Sequence, residues 1–127
     1  MVVEVGIGIS STFGGETLSL SCCKAVIDFY LRNNVIDYLW RIGEKMWNGV
    51  NNLFRKYKIP AQIKGFPVCS FFDFKLDKDR EDFFKSCFKK GAIFYNVGYV
   101  NFSHKEDIEG ALEKVEDAIK NMRNENN

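Results

Sequence analysis

The 127-residue chain lacks a charge excess of either sign: 18 Lys and Arg stand against 17 Asp and Glu, a formal net charge of +1. Binders of nucleic acid or anionic membrane carry clustered surplus Lys and Arg, so no nucleic-acid partner is expected. The chain has no charge-free apolar run near the ~18 residues that a membrane span needs. Its first residues, MVVEVGIGIS, lack the basic start and apolar stretch of a signal peptide. The expectation is a protein with no membrane partner, located in the cytoplasm. There is no C-x-x-C pair for zinc or redox work among the 4 cysteines. Cys22 and Cys23 are neighbours and would bridge only under strain. All four are expected as buried, reduced thiols packed like small hydrophobes.

Other chemistries are missing too. Asp73, Asp77, Asp79, Glu81 and Asp82 cluster, but without the D-x-D-x-D-G spacing and distal glutamate of a calcium loop, so no metal site is expected. Acids at a helix start already answer to the helix dipole, and so do the basic residues Arg55, Lys56 and Lys58 at a helix end. His104, the single histidine, makes no obvious nucleophile-and-base pair with a Ser, Cys or acid near it in the sequence. It reads as a surface or capping residue, and no catalytic residue is assigned.

What the chain does have is core material: 46% hydrophobic residues, with 12 Phe, 5 Tyr and 2 Trp. A chain of this length buries roughly 65–70% of its unfolded surface. Val3, Val5, Ile7 and Ile9 alternate as a short strand would, ahead of the glycine-rich turn Ser10-Ser11-Thr12-Phe13-Gly14-Gly15. From Thr17 to about Leu31 the sequence is apolar on nearly every helical face, which suits a helix packed on several sides, a neighbour outside this chain included. Asn33 and Asn34 are expected to cap a second helix of about 23 residues. Its stripe runs Val35, Leu39, Ile42, Met46, Val50, Leu53 and Tyr57, and it ends before Pro60. Gly43 and Gly49 each cost that helix about 1 kcal/mol relative to Ala, which points to close packing against another element.

Ile63 to Gly65 and Val68 to Phe74 read as an antiparallel strand pair around a Phe66-Pro67 turn. Asp77 is expected to cap a third helix with the stripe Phe83, Phe84, Cys87 and Phe88, stopped by a left-handed Gly91. Two strands, Ala92 to Tyr95 and Tyr99 to Phe102, should follow around Asn96-Val97-Gly98. Ser103-His104-Lys105-Glu106 has the form of a capping box before the stripe Ile108, Leu112, Val115, Ile119 and Met122. The fold class is α+β: a small antiparallel or mixed sheet covered by helices and preceded by two long helices. Residues 1–60 should hold the glycine-rich turn and two connecting helices, and residues 61–127 a small C-terminal α+β domain.

A glycine-rich turn that opens a helix sets free backbone N–H groups beside a hydroxyl, the parts of a phosphate site. No lysine follows these glycines, so the spacing is not that of a P-loop, and a plain turn-plus-cap accounts for it equally well. The string SSTFGGETLSL followed by an apolar helix resembles the late segment of class III aminotransferases, in particular those similar to glutamate-1-semialdehyde aminomutase. The resemblance continues through Phe83 to Gly91, Ala92-Ile93-Phe94-Tyr95 and Ser103-His104-Lys105-Glu106-Asp107-Ile108, and spans essentially Ser10 to Met122.

The resemblance implies a pyridoxal-phosphate enzyme of fold type I, a dimer with its active sites at the subunit interface. The family's turn threonine reaches the cofactor phosphate of the neighbouring subunit, and Thr12 matches it, with Gly14 and Gly15 supplying N–H groups. The departures are equally definite. The family's cofactor-bearing lysine, its ring-binding aspartate and aromatic and its main phosphate loop precede this turn, in a large domain that these 127 residues do not include. The Tyr95–Tyr99 loop is shorter, and the family's glutamate there has no counterpart. The expectation is a C-terminal fragment, a homodimer or partner of the missing large domain, that is inactive alone and holds no cofactor stably by itself. Two other readings stay open. One is an autonomous dimerisation or docking module that works through the first helix. The other is a stand-alone phosphate-binding domain built on Thr12.

Overall fold

The computed structural model describes residue 12, residues 14–104 and residues 107–124. The chain falls into two compact units, residues 1–34 and residues 35–127. The expected strand from Val3 to Ile9 lies outside the described residues.

In the first unit, α1 covers Thr17–Asn33 and buries none of its residues. The expected burial on several faces is not found: Leu18, Leu20, Val26, Ile27 and Leu31 are exposed. Asn34 takes the left-handed conformation at φ 46° and closes α1, while the Asn33 side chain donates back to the Phe29 carbonyl at 2.8 Å. The asparagines thus end one helix, where the sequence pointed to capping the next. A short amide side chain tolerates the left-handed region better than most.

The second unit opens with α2, Val35–Lys56. The strands β1 (Ala61–Phe66) and β2 (Cys69–Phe74) follow, then α3 (Asp77–Lys89), β3 (Val97–Tyr99), a 3-10 turn at Phe102–His104 and α4 (Ile108–Asn124). The sheet is antiparallel in the order β1-β2-β3, and the helices cover one face of it. Along β2 the inward set is Ser70, Phe72 and Phe74; Ser70 and Phe72 are buried. α2 turns Ile42, Met46, Trp47, Val50 and Phe54 onto the sheet, and α4 adds Ile108, Val115, Ala118, Ile119 and Met122. Between them lies a cluster of rings. Phe83 of α3 sits 5.3 Å from Phe54 and 5.7 Å from Phe72, centroid to centroid, and is fully buried. Buried Ser86 donates to the Ala118 carbonyl at 2.7 Å and ties α3 to α4.

The glycines of α2 mark close approaches, as their helix cost suggested. A Cβ on Gly43 would stand 2.1 Å from the Pro67 carbonyl oxygen, at the β1–β2 turn. One turn later, Trp47 donates its indole N–H to that same oxygen at 2.9 Å. The ring also lies under β3, where a Cβ on Gly98 would come within 2.5 Å of it.

Several expectations give way. Ala92 to Tyr95 forms no strand, and the strand placed at Tyr99 to Phe102 runs instead from Val97 to Tyr99, taking in two residues of the expected turn. The register explains this: Gly98 pairs with Ser70, and the ladder ends where the Phe72 N–H meets the Asn96 carbonyl at 3.0 Å. Before that point the chain leaves the sheet and Phe94 packs on Phe72 and Phe83. Asp77 does not cap α3. Leu76 holds the cap position without a side-chain bond, and Asp77, already helical, pairs with Arg80 at 3.1 Å. Gly91 is left-handed at φ 75°, as expected. Of the capping box, Lys105 and Glu106 lie outside the described residues. Ser103 belongs to the 3-10 turn, its N–H on Asn101 Oδ1 at 2.9 Å, and α4 begins only at Ile108. Of the α3 stripe, Phe88 is exposed.

Candidate functional site

The turn before α1 is built from residues that leave backbone donors bare. Gly15, at φ 83°, reverses the chain, and a Cβ there would have no atom within 4 Å. Thr12, Gly14 and Gly15 are all exposed within this one turn; Phe13 lies outside the described residues. Glu16 holds the cap position in extended conformation, and its own side chain makes no cap hydrogen bond to the first helical N–H groups. Its carbonyl accepts the Leu20 N–H at 3.0 Å, and its carboxylate accepts the Ser19 hydroxyl. The unmatched N–H groups and the dipole give this end of the helix about half a positive charge. Thr12 adds one hydroxyl. The nearest described cation along the chain is Lys24, which is paired with Asp28 at 2.7 Å. Such a turn suits a supplementary contact to a phosphate better than the whole of a phosphate site.

The second unit has a groove between β3 and α4, lined in part by Trp47, Tyr95, Tyr99, His104, Asp107 and Lys114. Ser103 lines it too, but among the described residues no hydrogen bond joins its hydroxyl to the His104 ring, whose two nitrogens both face Asn101. His104 is exposed, and its Nδ1 accepts the Asn101 N–H at 3.2 Å, so the ring braces the turn, in keeping with the capping role read from the sequence.

The thiols divide by position. Cys87 is fully buried, and burial pushes its thiol up to about 12, which silences it as a nucleophile. Cys69 is half-buried opposite Tyr99; the hydrogen bond that the Tyr99 phenol donates to this neighbour raises the phenol above its ordinary value. Cys22 and Cys23 are exposed on α1, which corrects the expectation of four buried thiols: the helix that carries them buries nothing.

Three acids of the cluster, Asp73, Asp77 and Asp82, are engaged in ion pairs. Asp73 holds Lys64 at 2.5 Å and Asp82 holds Lys78 at 3.1 Å, and among the described residues no group of three or more His, Cys, Asp or Glu is placed to hold a metal ion. In the basic run, Lys56 and the Tyr57 hydroxyl converge on Glu116 at 2.6 and 2.7 Å. These bonds hold the Glu116 carboxyl down to about 2. Among the described residues no helix is long and apolar enough to cross a membrane.

No family model matches the chain. It is similar to glutamate-1-semialdehyde 2,1-aminomutase of Archaeoglobus fulgidus, 25% identical over 127 aligned positions that take in 87% of this chain and 30% of the aminomutase. It is also similar to the crystal structure of an omega-transaminase from Sphaerobacter thermophilus. That match has a TM-score of 0.60 at 14% identity, over 68% of this chain and 24% of the other, and it establishes a shared fold. The chain thus spans less than a third of the length of either protein. In sequence and in fold it is class III aminotransferase-like, matching one stretch of such a protein.

Proposed function

We propose that the chain serves as the C-terminal part of a cytoplasmic, dimeric pyridoxal-phosphate aminotransferase or aminomutase, with the α+β unit as its small domain. The supporting observation is the similarity to the aminomutase along 87% of this chain, coupled to coverage of only 30% of that protein. On this reading Thr12 reaches the cofactor phosphate of a neighbouring subunit, and the N–H groups at Gly14 and Gly15 join it.

The residues fit one edge of the cofactor. An exposed hydroxyl, a left-handed glycine with open space about it and a helix start that its cap residue Glu16 does not cap suit a phosphate. When bound, pyridoxal phosphate supplies an electron sink for carbanions. This chain's own contribution is to bind and orient the phosphate; no residue in it is assigned to the ring or to proton transfer. The isolated chain is therefore inactive. The reading as an autonomous dimerisation module draws no support from the comparisons.

Amide chemical shifts test the reading. Millimolar pyridoxal phosphate should move the amides of Gly14 to Thr17 while pyridoxal without its phosphate leaves them in place, and Thr12→Val should weaken the response. Turnover of an amino donor by the chain alone, or a response equal for both compounds, would overturn it.

A further inference from the structure

We draw no further inference here: the strongest candidate, the exposed, uncharged β3 edge of the sheet with the groove between it and α4, carries nothing further, because nothing in the structure shows what covers it.

Discussion

Replacing Gly43 with alanine sets two calculable effects against each other. Within a helix the exchange gains about 1 kcal/mol of intrinsic propensity. Here, however, the added methyl would sit 2.1 Å from the Pro67 carbonyl oxygen and 2.6 Å from its carbonyl carbon. Both are backbone atoms of a hairpin turn, so no side-chain rotation relieves the contact and the turn must move by about an ångström. That movement pulls the oxygen away from the Trp47 indole, now at 2.9 Å. Crowding of this kind costs about 1–3 kcal/mol, and a part-buried donor left without its acceptor costs about 1–3 more. Set against the propensity gain, these costs leave Gly43→Ala about 1–5 kcal/mol less stable, with the centre of that range at about 3 kcal/mol. Its thermal midpoint, followed by far-UV circular dichroism, should fall by roughly 10–20 °C. Gly49→Ala is the matched control. Its methyl would meet the Leu112 side-chain tip at 2.5 Å, a group free to turn aside, so the loss should be smaller by about 1 kcal/mol or more. A Gly43→Ala protein as stable as the wild type would refute the reasoning.

Other consequences are open to direct measurement. Phe83→Ala empties the centre of the aromatic cluster and should cost about 3–5 kcal/mol in urea unfolding, against under 1 kcal/mol for exposed Phe88→Ala. Glu116 titrates near 2 in the folded chain instead of its ordinary 4.5, so its contribution is complete above pH 4.5 and drains away as the pH falls toward 2. Glu116→Gln should therefore flatten the acid limb of the thermal midpoint against pH, and an unchanged limb would rule the pair out as a source of stability. Labelling with a thiol-specific disulfide reagent should modify Cys22 and Cys23 at once in the native protein, while Cys87, with its thiol near 12, reacts only on unfolding.

Helices that carry a 3.6-residue stripe were legible in the sequence: α2 and α4 fall where Ile42, Met46 and Val50, and then Val115, Ile119 and Met122, place them. The glycines of α2 announced close contacts without naming the partner, because Pro67 and Leu112 meet them only through tertiary packing. β3 was less legible. An uncharged run such as Ala92 to Phe102 suits a strand almost anywhere, and the choice of Val97–Tyr99 was made by its register on β2. Caps failed where a hydrophobic residue, Leu76, took the position that Asp77 seemed made for. Of the candidate site, the glycine-rich turn with Thr12, Gly14 and Gly15 could be read from composition; that Gly15 is left-handed came from the structure. What the turn faces could not, because a contact with another molecule leaves no periodic trace in one chain.

Phe72 has five aromatic neighbours: Trp47 from α2, Phe74 from its own strand, Phe83 and Phe84 from α3, and Phe94 from the segment leading to β3. No one of these elements can swing away without exposing that ring. The slowest-exchanging amides of α2, β2 and α3 should accordingly share one opening free energy instead of a graded series. The Phe72 ring itself, gripped on several sides, should flip slowly enough to give separate signals for its two edges. The residues from Val35 onward therefore behave as one cooperative unit, whose opening is all or nothing.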